Sequence, residues 1–277
     1  MASISVADIK KLRESTGAGM TDCKNALVEA DGDYDKAVEF LRIKGLKGVA
    51  KREGRAASNG LIAATLDGKG KGTLLELNCE TDFVAKGETF GQLAEQVVTA
   101  AAGANDPSSI EVDGKALKDV LDDAGALLGE KIEVRRVASF DGTYVGLYLH
   151  KTNPDLPPQV GVLVELAGEA GADVYEQVGK DVAQHIAAFS PQFVTRDEVS
   201  DDVVAKEREI ARATAIEEGK PEAALDKIVE GRVTGFYKDA VLVEQAFAKD
   251  NKKTVGKVLD EAGLQVKGFA RFKVGQA

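Results

Sequence analysis

Four consecutive residues, Thr81-Asp82-Phe83-Val84, set a carboxylate beside a large aromatic ring where an apolar run gives way to polar sequence. That pairing suits recognition better than proton transfer: an aromatic at a rigid strand end, flanked by a charge, is the kind of group that fills a pocket on another protein. Residue types that carry catalysis are sparse elsewhere. His150 and His185 are the only histidines, and neither stands in an H-E-x-x-H helix or in a serine, histidine and acid arrangement. His185 lies on an alanine-rich segment and reads as a packing or capping residue; His150, at a strand end before a long turn, is the better surface candidate. Cys23 and Cys79 are too few for a disulfide framework or a structural zinc site and read as small buried side chains. No metal and no cofactor is expected, and a protein that works by binding is favoured over an enzyme.

The elements around Phe83 decide what the ring does. Leu74, Leu75, Leu77 and Cys79, bounded by Gly72-Thr73, predict a buried strand, and Thr81 or Asp82 then caps a loop or helix. Phe83 either folds back as a staple on Gly91 or Leu93, the commoner arrangement, or points outward as an anchor for a partner. Before this strand, Leu61 to Leu66 and the turn Asp67-Gly68-Lys69-Gly70-Lys71-Gly72 complete a hairpin. Its glycines do not make a phosphate cradle, because G-x-x-x-x-G-K-[ST] is absent and the loop joins two strands. After it, Phe90, Leu93, Ala94, Val97, Val98 and Ala101 mark an amphipathic helix.

Toward the amino terminus the period is helical. Ser5 and Asp8 form a capping box for a helix with Val6, Ile9 and Leu12 inward, ending near Gly17. Met20, Cys23, Ala26, Leu27 and Ala30 mark a second helix stopped at Asp31-Gly32; Asp33 caps a third, with Tyr34, Ala37, Val38 and Leu41, which Gly45 should end. Lys44, Lys47, Lys51, Arg52 and Arg55 follow as a basic run that reads as a linker. A nucleic-acid-binding helix is the alternative. It is opposed by the absence of interleaved aromatics and by a net charge of -10.

Past the first unit, Leu117 to Leu127 predicts a helix and Ile132 to Phe140 a strand. Then the pattern repeats. Gly142 to His150, a Pro-rich turn and Val160 to Ala167 make a second hairpin, and Val174, Val178, Val182 and Ile186 stripe a second helix. The loop matching Thr81 to Val84 is Gly168 to Asp173, which has no aromatic. A staple required by the unit should recur there. Near the end, Val255 to Leu259 predicts a helix and Gln265 to Val274 a strand, and between lies an insertion, about 197–237, that reads as a helical hairpin. In it Val203, Val204, Ile210 and Ala213 face Ala224, Leu225, Ile228 and Val233. It is either a self-contained ornament or an interaction arm about 27 Å long.

The fold expected is therefore α+β: a three-helix bundle over 1–45, a basic linker over 46–58, and duplicated core subdomains over 59–140 and 141–277. Hydrophobic residues at 44% and charged residues at 30% are globular values, and no long apolar run or basic leader occurs. The chain reads as soluble and cytoplasmic, with no membrane contact.

Two stretches carry a family resemblance. Leu12 to Leu27, containing Arg13-Glu14-Ser15-Thr16-Gly17-Ala18-Gly19-Met20-Thr21-Asp22-Cys23, and Glu76 to Lys86 resemble the two signatures of bacterial elongation factor Ts. That family consists of guanine-nucleotide exchange factors for the translational GTPase elongation factor Tu, with a UBA-like amino-terminal bundle. The resemblance implies that Thr81, Asp82, Phe83 and Val84 intrude beside the partner's nucleotide, in its GDP form, and dislodge its Mg²⁺. It implies that Lys10, Arg13 and Met20 contact the GTPase domain, and that His150 contributes from the second subdomain. Thr21 departs from a methionine of some relatives, and the further carboxy-terminal helix of some members has no counterpart. No direct nucleic-acid contact is implied. A homodimer or 2:2 complex through the helical hairpin stays open.

Overall fold

The structure is a computed structural model that describes residues 4–16, 18–68 and 70–276. Gly17 and Lys69, read above as a helix end and a turn residue, lie outside the described residues, as do the side chains of Lys47 and Lys51. The amino-terminal helices are α1 (Val6–Thr16), α2 (Met20–Glu29) and α3 (Tyr34–Arg52). The Ser5 and Asp8 box forms: Ser5 N–H donates to Asp8 at 3.0 Å and Asp8 N–H to Ser5 Oγ at 3.1 Å. Ile9, Leu12, Cys23, Ala26, Leu27, Ala30 and Ala37 close a small core. Val6 and Met20, expected inward, are exposed; each opens its helix, beyond the reach of so small a core.

Gly45 does not end α3. A Cβ there would lie 2.6 Å from Ala126 Cβ, so the glycine permits close approach to a neighbouring helix. The segment read as a linker is thus helical to Arg52.

The core begins with β1 (Asn59–Leu66) and β2 (Lys71–Cys79), an antiparallel hairpin. Helices α4 (Asp82–Ala85) and α5 (Glu88–Ala100), the short hairpin β3 (Glu111–Val112) and β4 (Lys115–Ala116), helix α6 (Leu117–Leu128) and strand β5 (Glu133–Asp141) follow. β5 pairs with the far edge of β2, giving the order β1-β2-β5. Helix α6 carries the bundle: besides the Gly45 contact, Arg42 pairs with Asp123 at 3.1 Å and Arg52 donates to the Gly125 carbonyl at 3.2 Å.

The second copy runs β6 (Tyr144–His150), β7 (Val160–Gly168), α7 (Ala172–Phe189), the inserted helices α8 (Asp201–Glu217) and α9 (Leu225–Ala240), β8 (Ala246–Phe247), β9 (Asp250–Thr254), α10 (Val255–Ala262) and β10 (Leu264–Lys273). Its sheet order is β10-β7-β6. Even the irregularity repeats, with a bulge where Glu76 and Leu77 meet Arg136 and Val134, and where Glu165 and Leu166 meet Gly268 and Val266. Each sheet packs one face on its own helices. The other faces meet through Ile62, Leu74, Val145, Leu163 and Phe272.

The inserted hairpin closes on Ala211, Val229 and Val233 with Val204 and Tyr237. Ile210 and Ala213, expected on that seam, face outward; the spacing of Val204, Ala211 and Ala215 puts small residues where two helices must touch. Among the described residues no helix is long and apolar enough to cross a membrane.

Candidate functional site

The strand leading to Phe83 is polar on one side. Glu76 and Asn78 of β2 and Glu80 just past its end alternate along the chain, so the side chains of the first two share one face and Glu80 continues it. Glu76 is fully buried and accepts from Arg136 Nε at 2.7 Å and from Gly275 N–H at 2.9 Å. Asn78 Nδ2 donates to the Asn59 carbonyl at 3.1 Å, and Asn59 Nδ2 to the Glu80 carbonyl at 2.8 Å. These bonds fix β2 to both of its neighbours and to the carboxy-terminal segment. Cys79, on the apolar face, is buried with its thiol pushed up to about 12 by desolvation and by the nearby Glu130 charge; it is an inert thiol.

Beyond Cys79 the chain turns under tight control. Glu130, just after the left-handed cap Gly129 of α6, accepts on Oε2 from the backbone N–H groups of Glu80 and Thr81, each at 3.0 Å. On Oε1 it accepts the Thr81 hydroxyl at 2.5 Å. In return Glu80 accepts from the Lys131 backbone N–H at 2.7 Å and pairs with Arg55 at 3.2 Å, contacts that hold its carboxyl below the ordinary value. Thr81 Oγ1 then caps α4 by accepting from Val84 N–H at 3.3 Å.

On this mount α4 sorts its side chains by direction. Ala85 is buried and Val84 packs on the first core, while Phe83 is 83% exposed. The ring touches neither Gly91 nor Leu93 as a staple would require; it stands in solvent on a short helix held at its start by Thr81. Asp82 forms an ion pair with Lys86 one turn on at 3.0 Å, which lowers its pKa and keeps it ionised. In the second copy, strand register matches Glu80 with Glu169 and Phe83 with Ala172, where α7 starts without a separate short helix.

The other candidates lie on other elements. Lys10 and Arg13 on α1 and Met20 at the start of α2 are exposed on the bundle. His150 is exposed at the end of β6, its Nδ1 3.0 Å from Tyr148 Oη. A groove of about 550 Å³ brings the two subdomains together here, with Ala85, Lys86 and Glu88 on one wall and Lys151, Pro154 and Leu156 on the other. His185, by contrast, is fully buried: Nε2 bonds Gln245 at 2.8 Å and Nδ1 accepts the Ala248 N–H at 3.2 Å. Among the described residues no His, Cys, Asp and Glu cluster forms a metal site.

Arg55 was read only as part of a basic linker, and Glu130 and Lys131 escaped the sequence reading. Their signal is weak, a Gly-Glu-Lys step between a helix and a strand, and their partners lie far off along the chain. The alternation of Glu76, Asn78 and Glu80 was visible in a strand read only for its apolar residues.

Comparison with known proteins agrees with this geometry. The family model described as Elongation factor TS matches residues 80–276. The chain is 59% identical over 281 residues to the elongation factor Ts of Acidothermus cellulolyticus, with all of both chains covered. It is 55% identical over 283 residues to that of Thermobifida fusca, again over both whole chains, and 56% identical over 280 residues to that of Paenarthrobacter aurescens, covering 99% of this chain and all of the other. With an exposed aromatic on a braced strand end and such similarity along its whole length, this chain belongs to the elongation factor Ts family of translation elongation factors.

Proposed function

We propose that this chain is a guanine-nucleotide exchange factor for elongation factor Tu, acting in the cytoplasm by binding and not by covalent chemistry. The observation that carries the reading is Phe83, 83% exposed on a helix whose start is braced. A lone exposed apolar side chain is ordinary; what supports the reading is an aromatic held outward on a rigid mount, the form of an anchor that fills a partner's pocket. Phe83 enters a pocket of the partner that is closed while GDP and Mg²⁺ are bound, with Thr81, Asp82 and Val84 shaping the intruding turn. Lys10, Arg13 and Met20 dock the bundle on the GTPase domain, and His150 adds a contact from the second subdomain. The inserted hairpin is a further arm, for the partner or for a second copy of this chain.

Burying one aromatic removes ~150–250 Å² from water, so at most ~4–6 kcal/mol is available before strain and association costs. Each ~1.4 kcal/mol of it coupled against the nucleotide weakens GDP binding tenfold. Linkage makes the effect mutual, so a rebinding nucleotide expels the factor. Release of fluorescent GDP from elongation factor Tu tests this: Phe83→Ala should slow the stimulated release at least about tenfold. Asp82→Asn should cost no more than about threefold, since Lys86 already offsets that exposed charge. Full stimulation by the Phe83 variant would sink the proposal.

A further inference from the structure

The two copies of the core differ at one junction, and the difference lies behind Phe83. In the second copy the left-handed cap Gly263 of α10 leads directly into Leu264, the residue whose strand register matches Ile132. In the first copy Glu130 and Lys131 stand between the cap Gly129 and Ile132. Those added residues make the clasp: Glu130 gathers two backbone N–H groups and the Thr81 hydroxyl, and Lys131 N–H returns a bond to Glu80. In the second copy the corresponding turn has no carboxylate clasp: Glu169 N–H donates to the Gly263 carbonyl at 3.2 Å, the Tyr175 hydroxyl donates to the Gly168 carbonyl at 2.8 Å, and no exposed aromatic follows. The carboxylate clasp occurs in the copy that presents a ring.

We propose that Glu130 is a positioning residue for nucleotide exchange, setting the orientation of α4 through Thr81 so that Phe83 meets its target pre-aimed; this rests on the exchange reading above. The chemistry requires a carboxylate or a close mimic. Three donors converge on Glu130, and an ionised carboxylate accepts all of them without offering a competing donor. The Thr81 hydroxyl is shared: it donates to Glu130 and accepts from Val84 N–H, so the same atom ties the clasp to the first turn of α4. Without the carboxylate the hydroxyl can rotate and both backbone donors must find water. The helix then loses its fixed start, and the intruding ring must be ordered at the moment of reaction.

Glu130 bonds the strand end behind the ring, at Glu80 and Thr81, so its loss should lower the rate of the exchange step more than the affinity for the partner. In the fluorescent GDP assay with elongation factor Tu, Glu130→Ala should lower the saturating release rate about tenfold while moving the half-saturating concentration less than about twofold. Glu130→Gln should stay within about threefold of the unaltered chain, because its amide oxygen keeps both N–H bonds and its NH₂ can donate to Thr81 Oγ1. In a Phe83→Ala background, Glu130→Ala should add less than about twofold, since the two residues act as one device. If Glu130→Ala does not fold, Thr81→Val, which deletes the shared hydroxyl at nearly constant shape, takes its place in the cycle with the same expectation. A normal saturating rate for Glu130→Ala, or an undiminished loss in the Phe83→Ala background, overturns the proposal. Failure of the unaltered chain to release GDP strikes the exchange reading itself and is told apart by that control.

Discussion

Phe83 and His185 show how one chain treats two rings in opposite ways. Phe83 is held out by a braced helix, whereas His185 is sealed between α7 and the β8–β9 hairpin and stacks on Phe189 with ring centroids 4.6 Å apart. Because Nδ1 accepts a backbone N–H, the ring proton sits on Nε2 and is donated to Gln245 Oε1; the folded state holds a neutral imidazole. Burial lowers the pKa of His185 from its ordinary 6.5. The sign follows from proton binding. Above pH 6.5 the ring is neutral in both states and its contribution is complete; as pH falls below 6.5 the unfolded chain takes up a proton that the folded chain refuses, so stability drops until the lower folded pKa is reached. The depressed carboxyls of Glu80 and Asp82 act only further down in acid, with their stabilisation present above the ordinary carboxyl value and lost as pH falls through the lowered one. Thermal melting should therefore show a fall in Tm between pH 7.5 and 5.5 that His185→Gln flattens, and parallel slopes for the two proteins would refute the assignment.

Helix α3 makes the case for the elements. Glycine inside a helix costs about 1 kcal/mol relative to alanine, which is why Gly45 reads as a stop. Here the neighbour decides, because a methyl at Gly45 would press on Ala126 Cβ at 2.6 Å, and two pairings beside it, Arg42 with Asp123 and Arg52 with the Gly125 carbonyl, hold the helices at that distance. Gly45→Ala should thus destabilise by about 1–3 kcal/mol despite its better helix propensity, measured by urea unfolding; a gain in stability would return Gly45 to the role of a mere breaker. The same distinction marks what the sequence could reveal. Periodicity was enough for α2, α5 and α7, because each buries one stripe of its own residues, and apolar runs between turns were enough for both main hairpins, whose central strands β2 and β7 are buried on both faces. Periodicity was blind to the extension of α3 and to the clasp at Glu130, since both depend on residues from another element. The two short hairpins, β3–β4 and β8–β9, are too brief to display any period. Phe83 was legible as a question, staple or outward ring; the missing aromatic in the second copy weighed against the staple, and the ring is 83% exposed.

At the scale of the molecule the duplication becomes an internal interface with approximate two-fold character. Gly72 and Gly161 hold matching places in β2 and β7, opposite Phe140 and Phe272 respectively. Each lets the other sheet come close: a Cβ at Gly72 would lie 2.8 Å from Val145 Cγ1 and 3.2 Å from Leu163 Cδ2, and one at Gly161 would lie 2.9 Å from Leu74 Cδ1 and closer still to Ile62 Cγ2. Ile62 and Val145 also match by strand register, as do Leu74 and Leu163, so the contact is reciprocal in the manner of a dimer interface joined into one chain. That interface fixes Phe83 of the first copy relative to His150 of the second. Branching at Cβ makes Ile62 stiff, and its methyl has the shorter approach. Gly161→Ala should therefore cost about 1–3 kcal/mol and more than Gly72→Ala. Both variants should still unfold in one transition, because the two sheets share a core and neither copy can shed the other without exposing it. Denaturant unfolding followed by circular dichroism and by tyrosine fluorescence reads both quantities. Two separate transitions, or a greater loss at Gly72, would mean that the copies are stabilised independently and that the shared face merely brings them together.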